Sequence, residues 1–396
     1  MGESPNRTGA RPPGEKEPVG IGHGTWSGGH NVAVRTFLSA GEASGDAYGA
    51  ALVTELKERG SDGPFEGLGG PRMSAAGVTL AADSSHWGAI TISQSLPLVR
   101  KVFRAYYRTK KALSTGAPGL FVPIDFGYVN IRLARHAKRL GWKVLYFVPP
   151  GSWRRHKQGK DLPAVTHRIV TPFSWSADIL KAMGADVRWF GHPIKSLVGA
   201  NLNSLPEARE TLALLPGSRA HEISNNLPIL AEAFKDWPGK IEFALAPTAN
   251  ADAIRTQWPR QDDTFTVGDT IGVLSRSRVA AVCSGTATLE AALLRVPTVV
   301  VYQADDKMRR EERILTRLGL FRRPEYVALP NILLQRTAVP ERIDRVDPAW
   351  LRDLTNALWE DGPERKAQLA AFEELDALLG PPDAIARTAE WALDWT

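Results

Sequence analysis

Short apolar runs rich in β-branched and aromatic residues alternate with helical periodicity along this chain, and no other feature restricts its fold as much. "VRTFLSA" leads into a helix predicted near residues 47–59, and "GLFVPID" into one near residues 129–140; "KVLYFVPP" and "HRIVTPF" follow. Such alternation argues for parallel βαβ units in a doubly wound α/β domain. Near Gly191-His192-Pro193 the series stops, and a loosely patterned stretch runs through Pro206. A second series then begins, with "TLALLPGSR", "IEFALAPT", "RVAAVCSGT" and "VPTVVVYQ". The expectation is α/β, with two Rossmann-like doubly wound domains facing a central cleft that binds the ligand.

The length of 396 residues exceeds one comfortable core and suits two domains. We place the N-terminal α/β domain at 32–192 and the C-terminal one at 193–379. From about Asp347 the chain reads as helices, and the last, in residues 380–396, is expected to pack back on the N-terminal domain. Residues 1–31, rich in Gly and Pro and without an apolar segment, read as a disordered tail. No window approaches a membrane span. Cys283 is the only cysteine, which excludes an internal disulfide and, with no export signal, points to the cytoplasm.

A net charge of +6 favours an anionic partner without choosing among nucleic acid, phosphorylated metabolite and lipid. Its distribution says more. "VRKVFRAYYRTKK", residues 99–111, carries Arg100, Lys101, Arg104, Arg108, Lys110 and Lys111 with no acid, while Val99, Val102, Phe103, Tyr106 and Tyr107 recur at the spacing of one helical face. Such a helix suits either an anionic membrane surface or an ordinary core-facing position.

Several chemical signatures are missing: the Walker phosphate loop, a strand-following G-x-G-x-x-G, the G-x-S-x-G elbow, H-E-x-x-H, and a metal-holding D-x-D pair. What remains sits at strand ends. "LLPGSRAHE" puts Gly217, Ser218 and Arg219 between a strand and a helix, where backbone N–H groups and a guanidinium can cradle a diphosphate or simply form a turn. "CSGTATLEA" repeats the arrangement with Ser284, Gly285, Thr286 and Glu290: small residues let a ligand approach, and the carboxylate can accept ribose hydroxyls, although Ser284 or Thr286 can equally cap the helix. Asp125 ends the run "FVPID" and is a general-base candidate or a helix cap. "PPGSWRRHKQGK" holds Arg154, Arg155, His156, Lys157 and Lys160, able to receive a phosphate or to lie in solvent. "LSAGEASGDAYGA" spaces Gly41, Gly45 and Gly49 around Glu42 and Asp46, a loop built for close approach.

In order, "SAGEASGD", "GLGGPRMSAAG", "LALLPGSRAHE", "SGTATLEA" and "ALPNIL" make residues 36–340 similar to the lipid-A-disaccharide synthase family of inverting GT-B glycosyltransferases. That resemblance implies transfer of diacylglucosamine from its UDP form to diacylglucosamine 1-phosphate, giving a β-1,6 disaccharide and UDP. It assigns Asp125 as base on the acceptor hydroxyl. Gly217, Ser218, Arg219, Glu222, Ser284, Gly285, Thr286, Glu290 and Asn331 are expected to bind the UDP-sugar. Gly41, Glu42, Ser44, Gly45, Asp46, Asn130, Trp153 and Arg154 are expected on the acceptor side, with Asp46 also capping the helix that follows it. Val102, Phe103 and Tyr106 become membrane contacts, for an enzyme held peripherally at the inner face of the cytoplasmic membrane. No cofactor, metal or nucleic acid is called for, and a homodimer is left open.

The chain departs from the family on the acceptor side. Phe126, Gly127, Tyr128 and Val129 stand between the "ID" and Asn130, Thr91 replaces an acid in "WGAITI", and "PPGSWRRH" keeps little beyond Trp153. Alternative readings are therefore another GT-B transferase or epimerase with a different UDP-sugar and acceptor, and a catalytically silent UDP-sugar-binding protein.

Overall fold

The structure is a computed structural model and describes residues 34–85, 87, 92–155, 158–202, 205–206, 208–283, 285–319, 321 and 324–395. The tail read at 1–31 lies outside the described residues, as do Thr91, His156, Lys157 and Ser284.

Two parallel sheets carry the fold. The first contains β1 (Thr36–Ala40), β2 (Phe65–Gly69), β3 (Thr79–Asp83), β4 (Leu120–Ile124), β5 (Lys143–Phe147), β6 (Arg168–Thr171) and β7 (Val187–Trp189), in the order β3-β2-β1-β4-β5-β6-β7. The second contains β8 (Thr211–Leu215), β9 (Lys240–Leu245), β10 (Thr264–Val267), β11 (Ser277–Val282), β12 (Thr298–Gln303) and β13 (Glu341–Asp344), in the order β10-β9-β8-β11-β12-β13. Each order reverses once, between β1 and β4 in the first sheet and between β8 and β11 in the second. Every residue of β1 and β4 is buried, because helices cover both faces of a parallel sheet.

The strongly apolar runs of the sequence all became strands. Those that escaped notice are mostly edges: β3, β7, β10 and β13 contain few buried residues, since a margin has less covering and needs less apolar character. β2 was hidden by its glycines; a Cβ on Gly67 would lie 2.6 Å from the Leu38 carbonyl oxygen. The loosely patterned stretch after Gly191 begins with a helix, Pro193–Leu202.

That helix joins the two halves. One contiguous apolar core runs from Leu38, Ile124 and Phe147 through Ile194 and Val198 to Leu215, Val282 and Leu289. The final helix, Ala384–Leu393, packs against the helix Ala43–Glu58 beside the first sheet. Arg59 reaches Glu390 at 3.3 Å, and the Arg168 guanidinium lies 4.8 Å over Trp391 and 4.0 Å over Trp395. Among the described residues no helix is long and apolar enough to cross a membrane.

Candidate active site

Both strand-order reversals open on the same cleft, a cavity of about 540 Å³ lined from the first sheet by Glu42, Ser44, Tyr48, Arg72 and Asp125 and from the second by Gly217, Arg219, Gly285, Thr286 and Glu290. A crevice at the carboxyl ends of strands where the order reverses is where this architecture binds ligands.

Asp125 stands at the end of β4 in an uncommon backbone: its φ is +46°, and that of Phe126 is +48°. Two successive non-glycine residues in the left-handed region are strained, so the surroundings must hold them. They do. The Asp125 N–H faces the carbonyls of Phe147 at 3.2 Å and Val148 at 3.1 Å, and the Tyr146 hydroxyl donates to the Asp125 carbonyl at 2.7 Å. Asn130, fully buried, donates to the carbonyls of Ser39, Ile124 and Asp125 at 2.8, 3.1 and 3.0 Å and accepts from the Ser39 hydroxyl at 2.6 Å. Asn130, expected at the acceptor, is thus a brace beneath the turn and does not line the cleft. Burial, reinforced by the nearby Glu42 carboxylate, pushes the Asp125 carboxyl up to about 6, while a backbone hydrogen bond at Phe126 opposes the rise.

The remaining acceptor-side residues divide. Glu42 and Ser44 line the cleft. Gly41 instead packs under Phe126, whose ring carbon would lie 2.2 Å from any Cβ there, and Gly45 packs on Ala40. Asp46 caps a helix, but not the one expected: it lies within Ala43–Glu58 and accepts from the N–H groups of Gly70, Arg72 and Met73 at 2.7, 3.0 and 3.1 Å, at the start of Pro71–Ala75. Its carboxylate borders the cleft with both oxygens already engaged. Trp153 and Arg154 stack on each other at 4.8 Å on an exposed turn outside the cleft. The neighbouring Arg155 stacks on Trp175 and donates to the Leu333 carbonyl of the second half.

On the second sheet the turn after β8 is closed by Glu222. Its Oε2 accepts from the N–H of Ser218 at 2.9 Å and of Arg219 at 3.2 Å, and its Oε1 accepts from the Arg219 guanidinium at 3.0 Å. The backbone donors that the sequence suggested for a diphosphate are therefore taken by the turn's own buried acid. Gly217, at φ +127°, makes the arrangement fit, since a Cβ would come within 2.5 Å of the Glu222 Cβ. Beneath it Asn226 donates to the Pro216 carbonyl at 2.8 Å and accepts from the Gln303 N–H at 2.9 Å, tying β8 to β12.

The turn after β11 is open. Gly285 has φ +121°, and beyond its chain neighbours no described residue lies within 4 Å of where a Cβ would stand. Thr286 does not cap the following helix with its side chain; the Thr288 hydroxyl instead donates to the Gly285 carbonyl at 2.7 Å. Burial raises Glu290 to about 6, against the pull of Arg72 from the opposite sheet. Asn331 is fully buried away from the cleft, accepting from the N–H groups of Ala338 and Val339 and donating to the Val339 carbonyl at 2.9 Å. It pins a loop.

Of the cleft residues that the sequence did not single out, three bear on its electrostatics. Tyr48 sits between the halves, its hydroxyl held neutral by burial and by the charges of Glu290 and Asp125. Arg72 donates to the Gly268 carbonyl at 3.3 Å across the cleft. Tyr302 faces Glu222 and Arg219. Only Arg72 carried a signal, within "GGPRMSAAG".

The basic helix spans Ile92–Leu113. Val102 and Tyr106, expected at a membrane, face inward and pack against the cluster of Leu113, Leu133 and Trp142. The outward face carries Val99, Phe103 and Tyr107, of which Phe103 is 56% and Tyr107 59% exposed. The heptad-like spacing merged two faces that the helix separates.

Residues 36–371 match the family model described as lipid-A-disaccharide synthetase. A lipid-A-disaccharide synthase of Myxococcus xanthus (strain DK1622) is 30% identical over 377 residues, 91% of this chain and 97% of that one. Among solved structures, Arabidopsis thaliana UGT89C1 complexed with UDP is similar at a TM-score of 0.59 with 13% identity, covering 91% of this chain and 99% of that one. S. aureus MnaA with UDP is similar at 0.56 with 10% identity, covering 92% and 98%.

Proposed function

The chain belongs to the lipid-A-disaccharide synthetase family and is a glycosyltransferase of GT-B architecture; from that premise we propose how its cleft works. The donor is UDP-2,3-diacylglucosamine, held against the second sheet. The acceptor is 2,3-diacylglucosamine 1-phosphate, held against the first. Asp125 takes the proton of the acceptor 6-hydroxyl. The freed oxygen attacks the anomeric carbon from the face opposite UDP, the bond to the β-phosphate oxygen breaks, and UDP departs with the electron pair. One displacement inverts the centre and gives a β-1,6 linkage.

The observation that carries this reading is the position of Asp125: a carboxylate on a braced turn, facing the donor-side turns across one cavity, with its proton affinity raised toward neutrality. A binder without turnover has no use for such a base. Opposite it, Gly285 and Thr286 leave room for close approach of the nucleotide, and Glu290 is placed to accept ribose hydroxyls. With the Ser218 and Arg219 N–H groups engaged, the diphosphate charge falls to the Arg219 guanidinium, which Glu222 holds through Nη1 while its other N–H donors remain for the ligand. Phe103, with Val99 and Tyr107, forms the apolar strip through which the N-terminal half rests on an anionic membrane.

Purified protein mixed with the two substrates should form disaccharide and UDP together. UDP release without disaccharide would turn the reading toward another acceptor, and UDP binding without turnover toward a binding protein.

A further inference from the structure

The helix Asp306–Arg317 has no buried residue, unlike the other long helices of the second half. It leaves β12 at the rim of the cleft, just after the cleft-lining Tyr302, and Asp305 caps it by accepting from the Met308 N–H at 2.7 Å. The helical period puts Lys307, Arg310, Ile314, Arg317 and Leu318 on one face, with Arg313 at its flank. All six are exposed, Ile314 at 50% and Leu318 at 64%, and Phe321 just beyond is exposed as well.

The charges are sorted by side. Arg309 leans toward the protein, where it pairs with Asp344 of β13 at 3.2 Å, and it also holds Asp306, an exposed acid in the first turn, at 2.6 Å. Glu311 and Glu312 are half-buried and engaged in contacts of their own. Lys307, Arg310, Arg313 and Arg317 form no ion pair with a described residue. The outward face is thus an apolar strip bordered by unpaired cations. A solvated helix has no need of the strip, and a helix covered by protein would leave four like charges to desolvate. Hydrocarbon beneath an anionic headgroup layer satisfies both parts at once.

We infer that the face of Ile314, Leu318, Lys307, Arg310 and Arg317 is a docking surface for an anionic phospholipid bilayer, separate from the strip on Ile92–Leu113. It belongs to the half of the molecule that carries Arg219 and Gly285. Docking there brings the donor side of the cleft to the bilayer and shortens the path of an acylated sugar nucleotide. That purpose rests on the proposed donor; the surface itself does not.

Co-sedimentation of the full chain with phosphatidylcholine vesicles, with and without phosphatidylglycerol, tests it. Arg310→Gln/Arg317→Gln should weaken binding to the anionic vesicles roughly tenfold or more at low salt, and high salt should remove the difference. Ile314→Ser/Leu318→Ser should weaken it at both salt concentrations. Neither pair should change UDP affinity or disaccharide formation from detergent-dispersed substrates, which checks the fold independently. Unchanged vesicle binding by both pairs overturns the inference. So does a shift from dimer to monomer in Ile314→Ser/Leu318→Ser with vesicle binding intact, which would assign the face to a second copy of the chain. Failure of the wild-type protein to make disaccharide would strike the proposed reaction and leave the vesicle result standing.

Discussion

The side-chain amide of Asn130 donates to the carbonyl oxygen of Asp125 at 3.0 Å, so the residue beneath the turn and the residue presented by it form one unit. Asn130→Ala would leave the carbonyls of Ser39, Ile124 and Asp125 and the Ser39 hydroxyl short of a partner in a buried site. A loss of about 1–3 kcal/mol in denaturant-measured stability is expected. Activity of the fraction that remains folded should fall further, because the left-handed turn would relax; activity proportional to the folded fraction would show that Asn130 does not position Asp125.

Asp125→Asn keeps the shape of the turn and removes the base. Transfer should fall at least roughly a hundredfold, with UDP affinity by calorimetry within about twofold of wild type. In the wild-type enzyme kcat/KM should rise with pH through an apparent pKa near 6, the value to which burial and Glu42 bring Asp125. Glu42→Gln removes the like charge and should move that limb to lower pH.

Stability should respond to pH in the opposite direction. Asp125 and Glu290 ionise at about 6 in the fold, against ordinary values of 3.8 and 4.5. Between those values and 6 the folded state holds more protons than the unfolded one, so stability falls as pH rises through the window, by at most about 3 kcal/mol for Asp125 and about 2 kcal/mol for Glu290. The double variant Asp125→Asn/Glu290→Gln should flatten the dependence of Tm on pH from 4 to 7; an unaltered profile would show that neither acid is raised.

Glu222 closes the turn after β8 by accepting from two N–H groups and the Arg219 guanidinium. Glu222→Ala should cost about 1–3 kcal/mol and, with the guanidinium released, weaken UDP binding roughly tenfold. Gly217→Ala should do the same through strain, since its Cβ would collide with Glu222. Unweakened UDP binding in both would remove this turn from the nucleotide site.

The two faces of Ile92–Leu113 should separate experimentally. Val102→Ser and Tyr106→Ser should each lower stability by about 1–3 kcal/mol, as losses from a packed cluster. Phe103→Ser/Tyr107→Ser should leave stability within about 0.5 kcal/mol and reduce partition onto anionic vesicles. The reverse pattern would assign the membrane contact to the inward face.

The cleft residues legible in the sequence are those placed by their chain neighbours. Asp125, Gly217, Arg219 and Gly285 stand just after apolar runs and Glu290 on the helix that follows one, and the alternation of runs and helices brings strand ends to one crevice whatever the details. Asn130, Asp46 and Asn331 were misplaced because each bonds backbone atoms of another segment: Asp46 satisfies the helix start at Gly70–Met73, and Asn331 the loop at Ala338–Val339. Polar side chains beside a glycine-rich turn read as ligand contacts when the backbone groups they serve are out of view. Arg72 and Tyr48 were missed for the same reason, since only the facing of two sheets makes them cleft residues.

The sequence by itself therefore determined the architecture, the family and the strand ends that line the cleft, because apolar periodicity and short turn motifs are local properties that survive without coordinates. Tertiary structure alone decided which polar groups are spent on holding turns and which remain for a substrate, and which side of an amphipathic helix meets the core. Those outcomes depend on hydrogen-bond partners and packing surfaces contributed from distant segments.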